Sequence, residues 1–376
     1  MLSSLARLAP RAVSREFVRH LQTGATVAVC GLGSMGHGVV QLCASSGYNV
    51  IAVDMNQEAC DKALSHIEGS LKQLSQKAVQ KGKLTDEEGE KAVAEPLSRI
   101  KTTTDVADVA ETDLIIEAIA ENLPIKMKFF EQIGEIAKPE AIIATNTSSF
   151  SVSDMAVACG RPENTIGLHY FNPVQLMKLV EIVCPDEASQ DVIDKAIAFV
   201  EQTKKVPVQC KDTPGFIVNR LLIPYLLQAT AMVARGDATA EAVDTAMKLG
   251  AGHPMGPIQL CDYVGNDVSL AAVQGWIEKY PDEPAFQIPE GVALLEDMVG
   301  QLAFARHCRC HNSLPMIPIT GCAHFSVGCE KPSWPKNRTR LLQMGWQQTS
   351  QVNRERPVAH QKLLYCKHLL QFGPNF

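Results

Sequence analysis

The stretch Thr26-Val27-Ala28-Val29-Cys30-Gly31-Leu32-Gly33-Ser34-Met35-Gly36, with Val50-Ile51-Ala52-Val53-Asp54 behind it, decides the fold. An apolar run enters a G-x-G-x-x-G turn, a helix-like segment follows from Met35 to Ser45, and a second apolar run ends in an acid. A dinucleotide-binding βαβ unit requires that order. Gly31 allows the tight turn out of the strand. Gly33 lets the backbone approach a pyrophosphate, which sits on the free N–H groups of a helix N-terminus. Gly36 lets the helix pack close to the sheet. Asp54 stands 21 residues after Gly33, where a carboxylate accepts hydrogen bonds from a ribose 2′-hydroxyl and repels a 2′-phosphate. The unit therefore reads as NAD-preferring. A glycine-rich turn alone is common; the strand before it, the helix after it and the acid at that distance give it weight.

Working outward, apolar runs at 27–30, 50–53, 114–118, 141–144, 165–168, 179–183 and 206–209 alternate with helix-like segments. An amphipathic, Lys-rich segment at 61–82 follows the second run, and Thr85-Asp86-Glu87-Glu88 opens another helix with a capping residue. The pattern predicts an α/β Rossmann-type doubly wound sheet with a helical insertion over residues 23–212. The character changes at Lys211-Asp212-Thr213-Pro214-Gly215. Beyond it, helix-like segments at 216–235, 240–249 and 257–279 come without strands, so an all-helical C-terminal domain is predicted over 213–301.

With 376 residues and 46% apolar content the chain is long enough for two domains with real cores. No apolar run reaches the roughly 18 residues that span a bilayer, so membrane insertion is not expected. The net charge of −6 is uneven: residues 302–376 carry ten Lys/Arg and two acids, leaving −14 on the rest. So acidic a body argues against nucleic-acid binding. Residues 1–22 space Arg7, Arg11, Arg15 and Arg19 among leucines, valines and serines with one acid, Glu16. That is the pattern of an amphipathic mitochondrial presequence, and it places the protein in the matrix. Seven of the 12 cysteines lie within 30–261 without paired or metal-like spacing and read as reduced thiols.

Four further blocks carry chemistry. Thr145-Asn146-Thr147-Ser148-Ser149 follows one strand, and Gly167-Leu168-His169-Tyr170-Phe171-Asn172-Pro173-Val174 follows the next. Lys178-Leu179-Val180-Glu181-Ile182-Val183 forms the strand after that, and Asp212-Thr213-Pro214-Gly215-Phe216-Ile217-Val218-Asn219-Arg220 opens the helical part. Ligands of open α/β sheets bind beyond the carboxyl ends of strands, where Ser148 and His169 fall. Taken singly, each of these residues has an ordinary structural explanation: a strand-end His, a solvent-facing Glu, a helix-capping Ser, an Asn bonded within its own turn. It is their combination that points to a site.

In these blocks the chain resembles the L-3-hydroxyacyl-CoA dehydrogenases of fatty-acid β-oxidation. The matching signatures are H-x-F-N-P-x with its downstream Glu (His169 to Glu181), K-D-x-P-G-F-[IV]-x-N-R (Lys211 to Arg220), T-N-T-S-S, and the run from Glu117 and Glu121 to Lys126. Ala246-Met247-Lys248-Leu249-Gly250-Ala251-Gly252 and Pro254-Met255-Gly256-Pro257 match the family's helical domain. The resemblance covers roughly residues 24–301 and implies NAD-dependent oxidation of a 3-hydroxyacyl-CoA to the 3-ketoacyl-CoA, by a homodimer joined through the helical domain. It makes His169 the general base and Glu181 its orienting carboxylate. It places Ser148 and Asn219 at the substrate oxygens, and Glu121 and Lys126 at the cofactor. It implies no metal.

The chain departs from the family after Gln301. The family's closing K-[FL]-G-[RK]-K-[TS]-G-x-G-F-Y segment is missing, and the sequence runs instead into Leu302-Ala303-Phe304-Ala305-Arg306-His307-Cys308. Lost periodicity and the swing in charge suggest an alternative exon or frame, and residues 302–376 read as a disordered basic tail. Cys308, Cys310, His311, Cys322, His324 and Cys329 match no standard zinc spacing. Two other readings stay open: an inactive or unstable splice-type variant that binds NAD or pairs with a normal subunit, and a related hydroxy-acid or sugar-acid dehydrogenase.

Overall fold

The computed structural model describes residues 24–264 and 266–287. The presequence expected over residues 1–22 and the basic tail expected over 302–376, with its cysteine and histidine cluster, lie outside the described residues. The chain divides into two compact units between Ile223 and Pro224.

The first unit is one sheet of eight strands in the order β3-β2-β1-β4-β5-β6-β7-β8. The strands are β1 Thr26–Cys30, β2 Asn49–Val53, β3 Ile100–Thr103, β4 Leu114–Glu117, β5 Ile142–Thr145, β6 Thr165–Tyr170, β7 Leu179–Cys184 and β8 Val206–Lys211. The first six are parallel; β7 runs antiparallel to β6, and β8 parallel to β7. Parallel strands carry helices on both faces, so both faces are apolar. Strand alternation sorts the residues: Val27 and Val29 join the core on one face with Val39, Ile67 and Phe199. Ala28 and Cys30 join the other with Phe130, Ile133 and Met155.

Helices α1 Gly36–Ser45, α2 Gln57–Gln80, α3 Asp86–Ser98, α4 Leu123–Ile136, α5 Val152–Cys159 and α6 Gln190–Gln202 complete this unit. The predicted helical insertion is the α2–α3 pair. Thr85 caps α3 through a full capping box with Glu88. Chain order reverses between β1 and β4, which are neighbours in the sheet, and this switch point opens the crevice where α/β sheets take ligands.

Helix α7, Val218–Arg235, carries the chain across the division. It starts two residues later than the pattern suggests because Phe216 has φ +52°, a conformation a right-handed helix excludes. In the second unit α8 Ala240–Gly250, α9 Pro257–Val264 and α10 Asn266–Lys279 follow, the last two within the helix-like segment expected over 257–279. Asp244 of α8 accepts from the N–H groups of Ile258 and Gln259 at 2.8 and 3.1 Å, capping α9. Gly256 is needed there, since a Cβ would lie 2.3 Å from the Asp244 carboxylate.

Candidate active site

The glycine turn is built by close approach. A Cβ on Gly31 would lie 2.5 Å from the Ala118 carbonyl oxygen, and one on Gly36 would lie 1.7 Å from that of Gly31. Gly33 differs: a Cβ there would meet nothing within 4 Å, so its open side faces away from the protein. Helices α2 to α6 and α8 all have a side-chain N-cap. Helix α1, at Met35, has none. The turn therefore presents free N–H groups at a helix N-terminus, where an anion is stabilised. Asp54 Oδ2 accepts from Leu32 N at 2.7 Å and Oδ1 from Met55 N at 2.7 Å. Each oxygen keeps a lone pair for a further donor, and the residue is half-buried. These residues fit the adenosine half of a dinucleotide.

At the other end of the sheet, the β6/β7 register sets His169 directly opposite Glu181. His169 Nδ1 lies 2.7 Å from Glu181 Oε2, with the two side chains 6% and 0% exposed. An ionised carboxylate only accepts, so the proton of that bond sits on Nδ1 and a neutral ring keeps its lone pair on Nε2. The other carboxylate oxygen, Oε1, accepts from the N–H groups of Ile217 and Val218 at 3.1 and 2.9 Å. Those donors open α7 and point back at Glu181 because Gly215 and Phe216 both take positive φ, +73° and +52°. The rings of Phe171 and Phe216 pack on His169 at 4.5 and 5.5 Å between centroids. The imidazole is thus oriented by hydrogen bond and walled by apolar faces.

Ser148 is half-buried on the turn after β5, with its hydroxyl 3.4 Å from Ser149 Oγ. The turn is tied to the histidine strand by Asn146, whose Oδ1 accepts from Tyr170 N at 2.8 Å. Asn219 follows Val218 in the first turn of α7 and is half-buried. Glu121 is 39% exposed on its side chain and Lys126 only 1%. The Lys126 ammonium lies 2.5 Å from Glu117 Oε1 and 3.1 Å from Glu121 Oε2, so it is already held by two carboxylates.

Three contributors are not evident as site residues from the sequence. Glu117, Asn146 and Phe216 are respectively 0% exposed, bonded across strands and strained. A lone acid inside Leu114-Ile115-Ile116-Glu117-Ala118 was the available signal for Glu117. The seven described cysteines are free. Burial pushes the Cys43 thiol up to about 12 and those of Cys184 and Cys261 to about 11, which keeps them protonated and unreactive at neutral pH.

Comparison with known proteins bears on this geometry. Residues 26–213 match the family model for the 3-hydroxyacyl-CoA dehydrogenase NAD-binding domain, and residues 215–306 that for the C-terminal domain. The chain belongs to the 3-hydroxyacyl-CoA dehydrogenase family. It is 46% identical to a probable 3-hydroxyacyl-CoA dehydrogenase of Caenorhabditis elegans, across 71% of this chain and 89% of the relative. It is 42% identical to the human mitochondrial hydroxyacyl-coenzyme A dehydrogenase, across 73% and 91%. The solved (S)-3-hydroxybutyryl-CoA dehydrogenase of Ralstonia eutropha matches with TM-score 0.67 and 36% identity, covering 73% of this chain and 93% of that one. The resemblance drawn from the motifs therefore holds, as does the Rossmann-type sheet followed by helices. The activity is that of an NAD-dependent 3-hydroxyacyl-CoA dehydrogenase, and NAD is the cofactor of its first domain.

Proposed function

We propose that His169 is the general base of this dehydrogenase and that Glu181 sets its tautomer. Its substrate is a 3-hydroxyacyl-CoA. NAD, when bound, supplies the acceptor for the hydride that leaves C3. The protein's task is to take the hydroxyl proton. The Nε2 lone pair of His169 receives it, and the ring becomes an imidazolium facing Glu181 across a 2.7 Å hydrogen bond. In the reverse direction Nε2 returns the proton to the 3-keto oxygen. Ser148 and Asn219 supply small neutral donors that hold that oxygen. Gly31, Gly33, Gly36 and Asp54 carry the dinucleotide, with Glu121 and Lys126 bordering it.

The paired register of His169 and Glu181 carries this reading. His169→Gln should cut turnover of acetoacetyl-CoA and NADH by about a thousandfold and leave NADH binding, read by its fluorescence, unchanged. Unchanged turnover would remove His169 from the role. The matrix is the proposed location, resting on the arginine spacing of residues 1–22 and on mitochondrial relatives at 42–45% identity. A fluorescent protein fused behind residues 1–22 that stays outside mitochondria would refute it. The homodimer is proposed from the family resemblance, and sedimentation of the purified chain tests it.

A further inference from the structure

We infer that Glu117 is a positioning residue for Ser148, acting at a distance through Lys126 and Glu121. This rests on the reading that Ser148 holds the substrate oxygen. The basis is a closed ring of hydrogen bonds at the carboxyl ends of β4 and β5. Glu117 Oε2 accepts from Thr145 Oγ1 at 2.7 Å, and Oε1 accepts from Ile119 N at 2.8 Å and from Lys126 Nζ at 2.5 Å. The same ammonium reaches Glu121 Oε2 at 3.1 Å. Glu121 Oε1 accepts from Thr147 Oγ1 at 2.6 Å and from Ser148 N at 3.3 Å. Thr147 N donates to Thr145 Oγ1 at 3.1 Å, which closes the ring.

The ring assigns the polar groups of Thr145-Asn146-Thr147-Ser148-Ser149 unequally. The Thr145 hydroxyl proton goes to Glu117 and the Thr147 hydroxyl proton to Glu121, while Thr147 Oγ1 also accepts from Ser149 N and Phe150 N at 3.3 and 3.2 Å. Both threonines are enclosed, at 0% and 1% exposure. Among the described residues the Ser148 hydroxyl is left with one long contact inside the turn. The turn is therefore fixed by its threonines and offers its serine. Since Glu117 is 0% exposed, it meets no ligand, and any effect it has on turnover passes through the ring.

The test is a double-mutant cycle on the full chain, with acetoacetyl-CoA and NADH. Ser148→Ala should lower kcat about a hundredfold. Glu117→Gln should lower kcat about tenfold because it misplaces the turn; its route runs through Lys126 and Glu121, which border the dinucleotide, so the cycle is scored on kcat at saturating NADH. In the Ser148→Ala background, Glu117→Gln should cost less than about twofold, since what it positions is gone. An equal loss in both backgrounds, or no loss in the native one, overturns the inference. No loss from Ser148→Ala overturns the reading of Ser148 itself, which the first arm shows separately. Should Glu117→Gln fail to fold, Thr147→Val opens the ring at its hydroxyl bond to Glu121 under the same criteria, and Thr147→Ser, which keeps the hydroxyl, should restore kcat.

Discussion

Glu117 and Glu181 are the same residue type, both wholly buried in strands of one sheet, yet what faces them differs. Glu117 faces a lysine, and its remaining oxygen takes a threonine hydroxyl. That lysine's ammonium is held between two carboxylates, Glu117 and Glu121. Glu181 faces an imidazole, and its remaining oxygen takes two backbone N–H groups. While His169 is neutral, its Nδ1–H and those two backbone N–H groups answer the carboxylate as dipoles. When His169 gains a proton, the charge finds its full partner. On the proposed mechanism, the acid beside the lysine holds shape, and the acid beside the imidazole favours a charge that appears only during reaction.

The largest expected effect separates the two in turnover. Glu181→Gln keeps an oxygen acceptor but loses the charge that favours the imidazolium. It should lower kcat by about a thousandfold or more, against about tenfold for Glu117→Gln. Comparable losses in steady-state turnover would erase the distinction. Stability should show the reverse bias. Lys126→Met leaves Glu117 uncompensated in the core and should cost about 3–5 kcal/mol in urea unfolding. Replacing both members, Glu117→Leu with Lys126→Met, should recover much of that loss, because an apolar pair has no charge to strand. A double variant as unstable as Lys126→Met alone would show that the ring, rather than the charge, sets the cost.

The smallest effect concerns the tie between the two regions. Asn146→Ala frees the N–H of Tyr170 and should cost about 1–3 kcal/mol. It should also lower kcat while leaving NADH affinity unchanged, because the tie sits between Ser148 and His169 and away from the glycine turn. A change in NADH affinity without one in kcat would contradict it.

Much of this was legible in the chain. The glycine turn with Asp54 named the fold, because close packing leaves no other residue at Gly31 and Gly36. The motifs point to both His169 and Glu181, but their contact depends on the antiparallel turn-back of β7 on β6, and register is a tertiary fact. β3 was not legible: Ile100-Lys101-Thr102-Thr103 sits at the sheet's edge, partly exposed, with one aliphatic residue and no apolar run. The donors to Glu181 were hidden for another reason. They depend on positive φ at Phe216, a conformation that a bulky residue rarely takes and composition does not advertise. Glu117 and Lys126 belong to one sequence motif, yet their spacing does not show that they pair inside the core.

The central claim is that Glu181 fixes the proton of His169 on Nδ1. Nitrogen NMR of the chain carrying isotope-labelled histidine tests it directly, with the His169 signals assigned by their loss in His169→Gln. The account predicts, for the neutral ring, a protonated Nδ1 and a bare Nε2, with the Nδ1 proton signal lost or shifted in Glu181→Gln. A neutral ring protonated on Nε2 would contradict it, since the nitrogen that must accept the substrate's proton would already be occupied.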